Sequence, residues 1–192
     1  MHIHPVGTRA LLVELEDLSQ VMAWHAALDA NPLKDQVDAI AAATTLLLTF
    51  ATPNSAAAAA EKLQDFHPTA QAGEDPRFVE IDVLYDGEDL DEAAELMGMS
   101  REGLIDWHTS TEWLAAFGGF APGFTYCTPA DPAQNFNIER RATPRTAVPA
   151  GAVGIAGGFS AVYPRVSPGG WQLLGTTSTP MWVSDAHPPA LV

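Results

Sequence analysis

The chain has 192 residues, 24 of them acidic and nine basic, with a formal net charge of −15 and an apolar content of 47%. That length allows one domain or two small ones around a sizeable core, and five Trp argue for a folded globule over disorder. The negative charge argues against nonspecific binding to nucleic acid or to an anionic membrane, since both attract basic surfaces.

One cysteine, Cys127, excludes an internal disulfide and any multi-cysteine metal site, and it reads as a structural thiol. Glu14, Glu16 and Asp17 interrupt the one early apolar run, so no signal peptide is expected. No segment reaches the roughly 18–20 uninterrupted apolar residues of a membrane span. These features predict a cytoplasmic protein.

In chain order, Ala10–Glu16 has the composition of a first strand. Leu18, Val21, Met22, His25 and Leu28 share one helical face, and the helix ends near Asn31–Pro32. His25 on that stripe reads as a packing histidine. Val37–Ala41 and Thr44–Phe50 form two adjacent strands. Asn54 or Ser55 then caps a helix that buries Ala59, Leu63 and Phe66. Arg77–Tyr85 alternates through Phe78, Val79, Ile81, Val83 and Tyr85 as a fourth strand. The order β-α-β-β-α-β predicts a ferredoxin-like α/β sandwich over residues 1–86.

Asp86-Gly87 marks the turn into a second domain, residues 87–192. Leu90, Ala93, Ala94 and Met97 make a short helix closed by Gly98, and Ser100 caps another through Trp107. A DNA-binding helix pair is rejected there, because Glu88, Asp89, Asp91, Glu92 and Glu95 would face the phosphates. Beyond Trp113–Phe117 come short apolar segments broken by Pro and Gly: Ala147–Val148, Val153–Ile155, Ala161–Tyr163, Gln172–Leu174 and Met181–Val183. Frequent turns without helical periodicity predict a closed or nearly closed β structure.

Several common sites are missing. There is no phosphate-binding G-x-x-x-x-G-K-[ST] loop, no G-x-G-x-x-G after a strand and no G-x-S-x-G elbow. Lys34 and Lys62 are the sole lysines, which argues against a Ser–Lys amidase arrangement. The six histidines lack metal-binding spacing, and His2-x-His4 is a weak pair, so no metal site is expected.

What remains is a glycine-rich stretch from Gly118 to Gly175. From Arg140 to Ser184 it holds no acid, yet it carries Arg140, Arg141, Arg145 and Arg165. Glycine lets a ligand approach the backbone, turn N–H groups form anion-binding concavities, and arginine binds carboxylate or phosphate in bidentate fashion. Arg141 and Arg145 are the candidate anion ligands, because the stretch offers them no carboxylate partner. An ion pair with an acid of the other domain is the competing reading. Gly123, Gly151, Gly169 and Gly170 are candidate backbone donors, and Tyr126, Tyr163 and Trp171 line a pocket wall or the core. His108, at a helix end, is the histidine placed to act as acid or base, or else to face the helix dipole.

F-A-P-G-F-T-Y at Phe120–Tyr126, R-R-A-T-P-R-T-A-V-P-A-G-A-V-G-I-A-G-G from Arg140 and Y-P-R-V-S-P-G-G-W-Q-L-L-G-T-T from Tyr163 resemble the signature blocks of the allophanate hydrolase subunit 1 family. That family includes the B subunit of 5-oxoprolinase and the Kip-type inhibitor of a sporulation histidine kinase. The resemblance is dense from Val83 to Thr177, and G-T-R-A-L-L-V-E-L at Gly7–Leu15 extends it. It implies an N-terminal α/β domain and a C-terminal cyclophilin-like β-barrel.

It also implies a carboxyltransferase-like subunit of an ATP-dependent amide or lactam hydrolase, with 5-oxoprolinase the leading form. ATP, with magnesium, would be used by the complex. The implied partners are a second barrel subunit of the allophanate hydrolase subunit 2 type, a third hydrolase subunit and a small carboxylate substrate. A non-enzymatic kinase inhibitor is the alternative. Urea-type carboxyl transfer would need a biotin carrier, and the chain has no M-K-x motif. Relatives continue beyond the position of Ala190–Val192 with a short Gly-Asp-containing strand, so an incomplete barrel is a further expectation.

Overall fold

A computed structural model of the chain describes residues 1–68 and 77–187. It is an α+β protein that divides into two compact units, Met1–Pro76 and Arg77–Val192. The division falls ten residues before the turn expected at Asp86-Gly87. Among the described residues no helix is long and apolar enough to cross a membrane.

The first unit contains β1 (His2–Val6), β2 (Ala10–Glu14), α1 (Leu18–Ala30), β3 (Gln36–Ala41), β4 (Thr45–Phe50) and α2 (Pro53–Gln64). Its four strands form one antiparallel sheet in the order β1-β2-β4-β3. The sheet differs from the ferredoxin-like expectation at one edge. The position beside β2 is filled from the N-terminus by β1, and Arg77–Tyr85 forms no strand. Alternate residues of β2 and β4 (Leu11 and Val13; Leu46, Leu48 and Phe50) bury one face of the sheet. Val21, Trp24 and Leu28 of α1 and Ala56, Ala59 and Leu63 of α2 complete that core. Asp17 caps α1 by accepting from the Gln20 N–H at 2.8 Å. Thr52, not Asn54 or Ser55, caps α2, because Pro53 occupies the first helical position and needs no donor partner. His25 packs as expected, its Nε2 lying 3.1 Å from the Ala39 carbonyl.

The second unit opens with α3 (Leu90–Leu96) and α4 (Arg101–Ser110), the latter capped by Ser100. Among the described residues seven strands follow: β5 (Trp113–Gly118), β6 (Thr125–Pro129), β7 (Arg145–Val148), β8 (Ala152–Ala156), β9 (Phe159–Val162), β10 (Ser167–Gly169) and β11 (Gln172–Thr176). They form an antiparallel sheet in the order β11-β8-β9-β6-β5 and a separate pair, β10-β7. No closed barrel is present among the described residues: β11 and β5 remain opposite edges of one sheet. The expected segment Met181–Val183 is not a strand.

The two faces of this sheet explain why β8 is buried along its whole length. Ala152, Ala156 and Leu173 face an aromatic cluster of Phe124, Tyr163 and Trp171. Ile155 and Leu174 face Leu90, Ala93, Ala94 and Leu104 of α3 and α4. The chain enters α3 strapped along β11, with the Gly87 N–H on the Leu174 carbonyl (3.0 Å) and the Asp89 N–H on that of Leu173 (3.1 Å). A Cβ at Gly87 would overlap the backbone of Leu173 and Leu174, so glycine is needed for that approach.

Candidate functional site

The strap that brings Gly87–Asp89 against β11 also sets the position of the arginines. Arg145 lies on β7. Arg141 is held in the preceding loop by its N–H, which donates to the Gly170 carbonyl at 2.8 Å. Both guanidinium groups turn onto one carboxylate, Asp89, which is 2% exposed. Arg145 Nη2 donates to Asp89 Oδ1 at 2.8 Å and to Glu88 Oε2 at 3.1 Å. Arg141 Nη1 donates to the same Asp89 oxygen, and reaches Glu92 Oε2 at 3.4 Å. The other Asp89 oxygen, Oδ2, accepts from the Leu173 N–H at 2.8 Å.

Asp89 occupies the N-cap position of α3 but makes no capping bond to that helix. Burial works against its charge. The Arg145 hydrogen bond, the Leu173 N–H and the charges of both arginines outweigh that cost and hold its carboxyl below the usual range.

Of the expected site residues, Arg141 and Arg145 are therefore brought together. The acid-free stretch itself offers them no carboxylate; their partner comes from outside it, at the start of α3 and within the same unit, not from the other domain. Two N–H positions, Arg141 Nε and Arg145 Nη1, are buried and have no acceptor among the described residues. Glu88 and Glu92 are exposed carboxylates on the rim, each held by one arginine contact. Such contacts are exchanged at little cost, about 1 kcal/mol or less each.

The glycines divide. Gly170 lies beside this cluster and receives the Arg141 N–H. Gly169 lies against Tyr163, where an added Cβ would meet the phenol ring. Gly151 is not an open donor: its N–H is spent on the Tyr163 carbonyl (2.8 Å) and its carbonyl on the Thr177 N–H (2.8 Å). Gly123, with φ of 78°, turns the chain between β5 and β6 against Met181 and Trp182.

Trp171 is 4% exposed and packs edge-on to Phe124, 5.5 Å between ring centroids, so it belongs to the core instead of a pocket wall. Tyr126 is half-buried in the same cluster and stacks on Phe117 at 4.5 Å.

His108 does not join the arginines. It sits in the last turn of α4, 7% exposed, with both ring nitrogens engaged. Tyr85 Oη lies 2.7 Å from Nδ1, and Ser160 Oγ lies 3.0 Å from Nε2. A neutral ring with its proton on Nε2 satisfies both contacts. Burial lowers the His108 pKa to about 4 and raises that of Tyr85 to about 12. As arranged, the ring pins α4 to β9 and presents no free nitrogen to a substrate, so the geometry does not support the acid or base role. Cys127 matches the structural reading, its pKa raised to about 11 by burial.

Asp89, Tyr85 and Ser160 were not recognised from the sequence as partners. The available signal was Asp89 itself, at the start of a short helix in an acidic run while the unmatched arginines lie some 50 residues downstream.

Comparisons with known proteins place the chain. It is 36% identical to the B subunit of 5-oxoprolinase from Escherichia coli O157:H7, over 97% of this chain and 89% of that protein. It is 42% identical to the corresponding 5-oxoprolinase protein of Bacillus subtilis (strain 168), over 60% of this chain and 49% of that one. The crystal structure of TTHA0988 superimposes with a TM-score of 0.76 at 32% identity, covering 96% of this chain and 38% of that chain. The chain thus spans most of the first relative and less than half of the other two. The model of the carboxyltransferase domain, subdomain C and D, matches residues 1–192 in full, and the chain belongs to that family.

Proposed function

We propose that this chain is one subunit of an ATP-dependent lactam hydrolase that opens 5-oxoproline to glutamate. The observation that carries the reading is the 36% identity to the B subunit of a 5-oxoprolinase along 97% of the chain.

The chemistry is consistent with a shared site. A lactam carbonyl is a poor electrophile because nitrogen donates into it, and phosphorylating its oxygen makes the carbon open to water. The balanced reaction takes 5-oxoproline, ATP and two waters to glutamate, ADP and phosphate, one water opening the lactam and the other accounting for cleavage of ATP. The role of this chain is to hold the substrate's carboxylate. Arg141 and Arg145 converge from different segments and are fixed by Asp89, and their rim contacts are made to the exposed carboxylates Glu92 and Glu88. Glu88 and Glu92 leave the guanidinium groups when the substrate carboxylate arrives.

ATP is used by the complex. Among the described residues no group of three His, Cys, Asp or Glu side chains is arranged to hold a metal ion. The second, allophanate hydrolase subunit 2 type subunit and a third hydrolase subunit supply the rest of the site.

The test is to assemble the three subunits and offer 5-oxoproline, urea and allophanate in parallel with ATP. Glutamate formation with the first alone supports the reading, and turnover of urea or allophanate instead contradicts it.

A further inference from the structure

The segment Arg77–Val83 begins the second unit, and from Glu80 to Leu84 its side chains alternate in burial with a period of two residues. Ile81 and Val83 are partly covered, while Phe78, Glu80, Asp82 and the following Leu84 are exposed, as is Val79 at 44%. Phe78 is 77% exposed and Leu84 67%. That period belongs to an extended chain.

The segment also has a place in the sheet. Leu84 and Thr176 exchange two backbone hydrogen bonds, each 2.8 Å, at the end of edge strand β11. Beyond that bridge the two chains separate, and residues 77–83 make no hydrogen bond through backbone or side chain among the described residues. A strand-like sequence therefore leads into the open edge of a sheet with its N–H and C=O groups unpaired among the described residues. Native proteins seldom leave such an edge bare, because it pairs readily with another extended chain.

We infer that Arg77–Val83 is a docking edge that pairs with a strand of the second subunit, one whose outward face carries Lys or Arg between apolar residues. Glu80 and Asp82 stand side by side on the outward face, flanked by Phe78 and Leu84, and a facing strand with cations at its centre matches that pattern. A second copy of this chain does not. An antiparallel pairing of two such segments about Ile81 sets Glu80 opposite Asp82 twice, which places like charges directly across the ladder. The net charge of −15 per chain adds to that repulsion.

This inference rests on the multi-subunit reading above, and its test separates the two. Hydrogen exchange is measured on this chain alone and with the co-expressed second subunit, alongside the variants Glu80→Pro and Asp82→Lys. Proline at Glu80 removes an N–H that has no partner among the described residues and favours extended backbone before it, so the variant keeps its melting temperature. The expected result is protection of the 77–83 amides by at least tenfold in the complex. Loss of tenfold or more in affinity is expected for Glu80→Pro, with a smaller loss for Asp82→Lys. A complex that assembles at wild-type affinity with Glu80→Pro, or in which residues 77–83 still exchange freely, overturns the docking edge and leaves the multi-subunit reading intact. A folded wild-type chain that binds no second subunit overturns both.

Discussion

Arg145 donates through Nη2 to Asp89 Oδ1 at 2.8 Å, across 56 residues of chain, and Arg141 meets the same oxygen. One buried carboxylate thereby orders two arginines and, through the Leu173 N–H, ties the start of α3 to β11. Asp89→Ala leaves both guanidinium groups without their shared acceptor. Removing one partner of a buried ion pair costs about 3–5 kcal/mol. Thermal or urea unfolding of the variant is expected to show a loss of that size, and a loss below about 1 kcal/mol would show that the cluster does not stabilise the fold.

Arg145→Lys keeps a charge but loses the planar fork that holds Asp89 and a ligand together. In the reconstituted complex its glutamate formation is expected to fall by at least tenfold, chiefly through KM for 5-oxoproline, while the subunits still co-elute. Wild-type kinetics would return Arg145 to a purely structural role.

The parts of the fold legible in the sequence were those set by local periodicity and caps. The stripe Leu18–Leu28, the apolar run at Thr44–Phe50 and Ser100 before α4 all lie where spacing put them. β1 is not legible in the sequence, because H-I-H-P-V contains a proline, which an edge strand tolerates, and lacks an apolar alternation. Arg77–Tyr85 has a strand's alternation, but a strand also needs a neighbour, and pairing is not written in one segment's own pattern. The arginines were found by their unusual local charge. Asp89 is not legible as their partner in the sequence, because the arginines lie 52 and 56 residues away and only the β11 strap brings them into reach.

His108 makes acid stability informative. Its folded pKa of about 4 lies below the ordinary 6.5, so the unfolded chain takes up the proton first as the pH falls. The stabilisation is complete above about pH 6.5 and is lost as the pH drops toward 4, amounting to roughly 3 kcal/mol. Asp89, whose pKa is also depressed, adds a further loss below its ordinary value of 3.8. In His108→Gln the decline between pH 6.5 and 4 is expected to flatten, as followed by urea unfolding at each pH. An unchanged slope would mean that another group governs the decline.

In the first unit, Thr52 Oγ1 accepts from the Ser55 N–H at 3.1 Å at the start of α2. Thr52→Ala is expected to cost about 1 kcal/mol. Amide exchange should rise in α2 and stay unchanged across β8 and β11. Equal exposure of both units would show that they unfold together.

The central claim, that this chain contributes an essential part of a shared lactam-opening site, is tested most directly by an omission experiment. Glutamate is quantified from 5-oxoproline and ATP with the second and third subunits, with and without this chain. The account predicts ATP-coupled glutamate formation when all subunits are present, and none when this chain is left out. Equal glutamate formation in its absence, or none from a complete and well-folded complex, would contradict it.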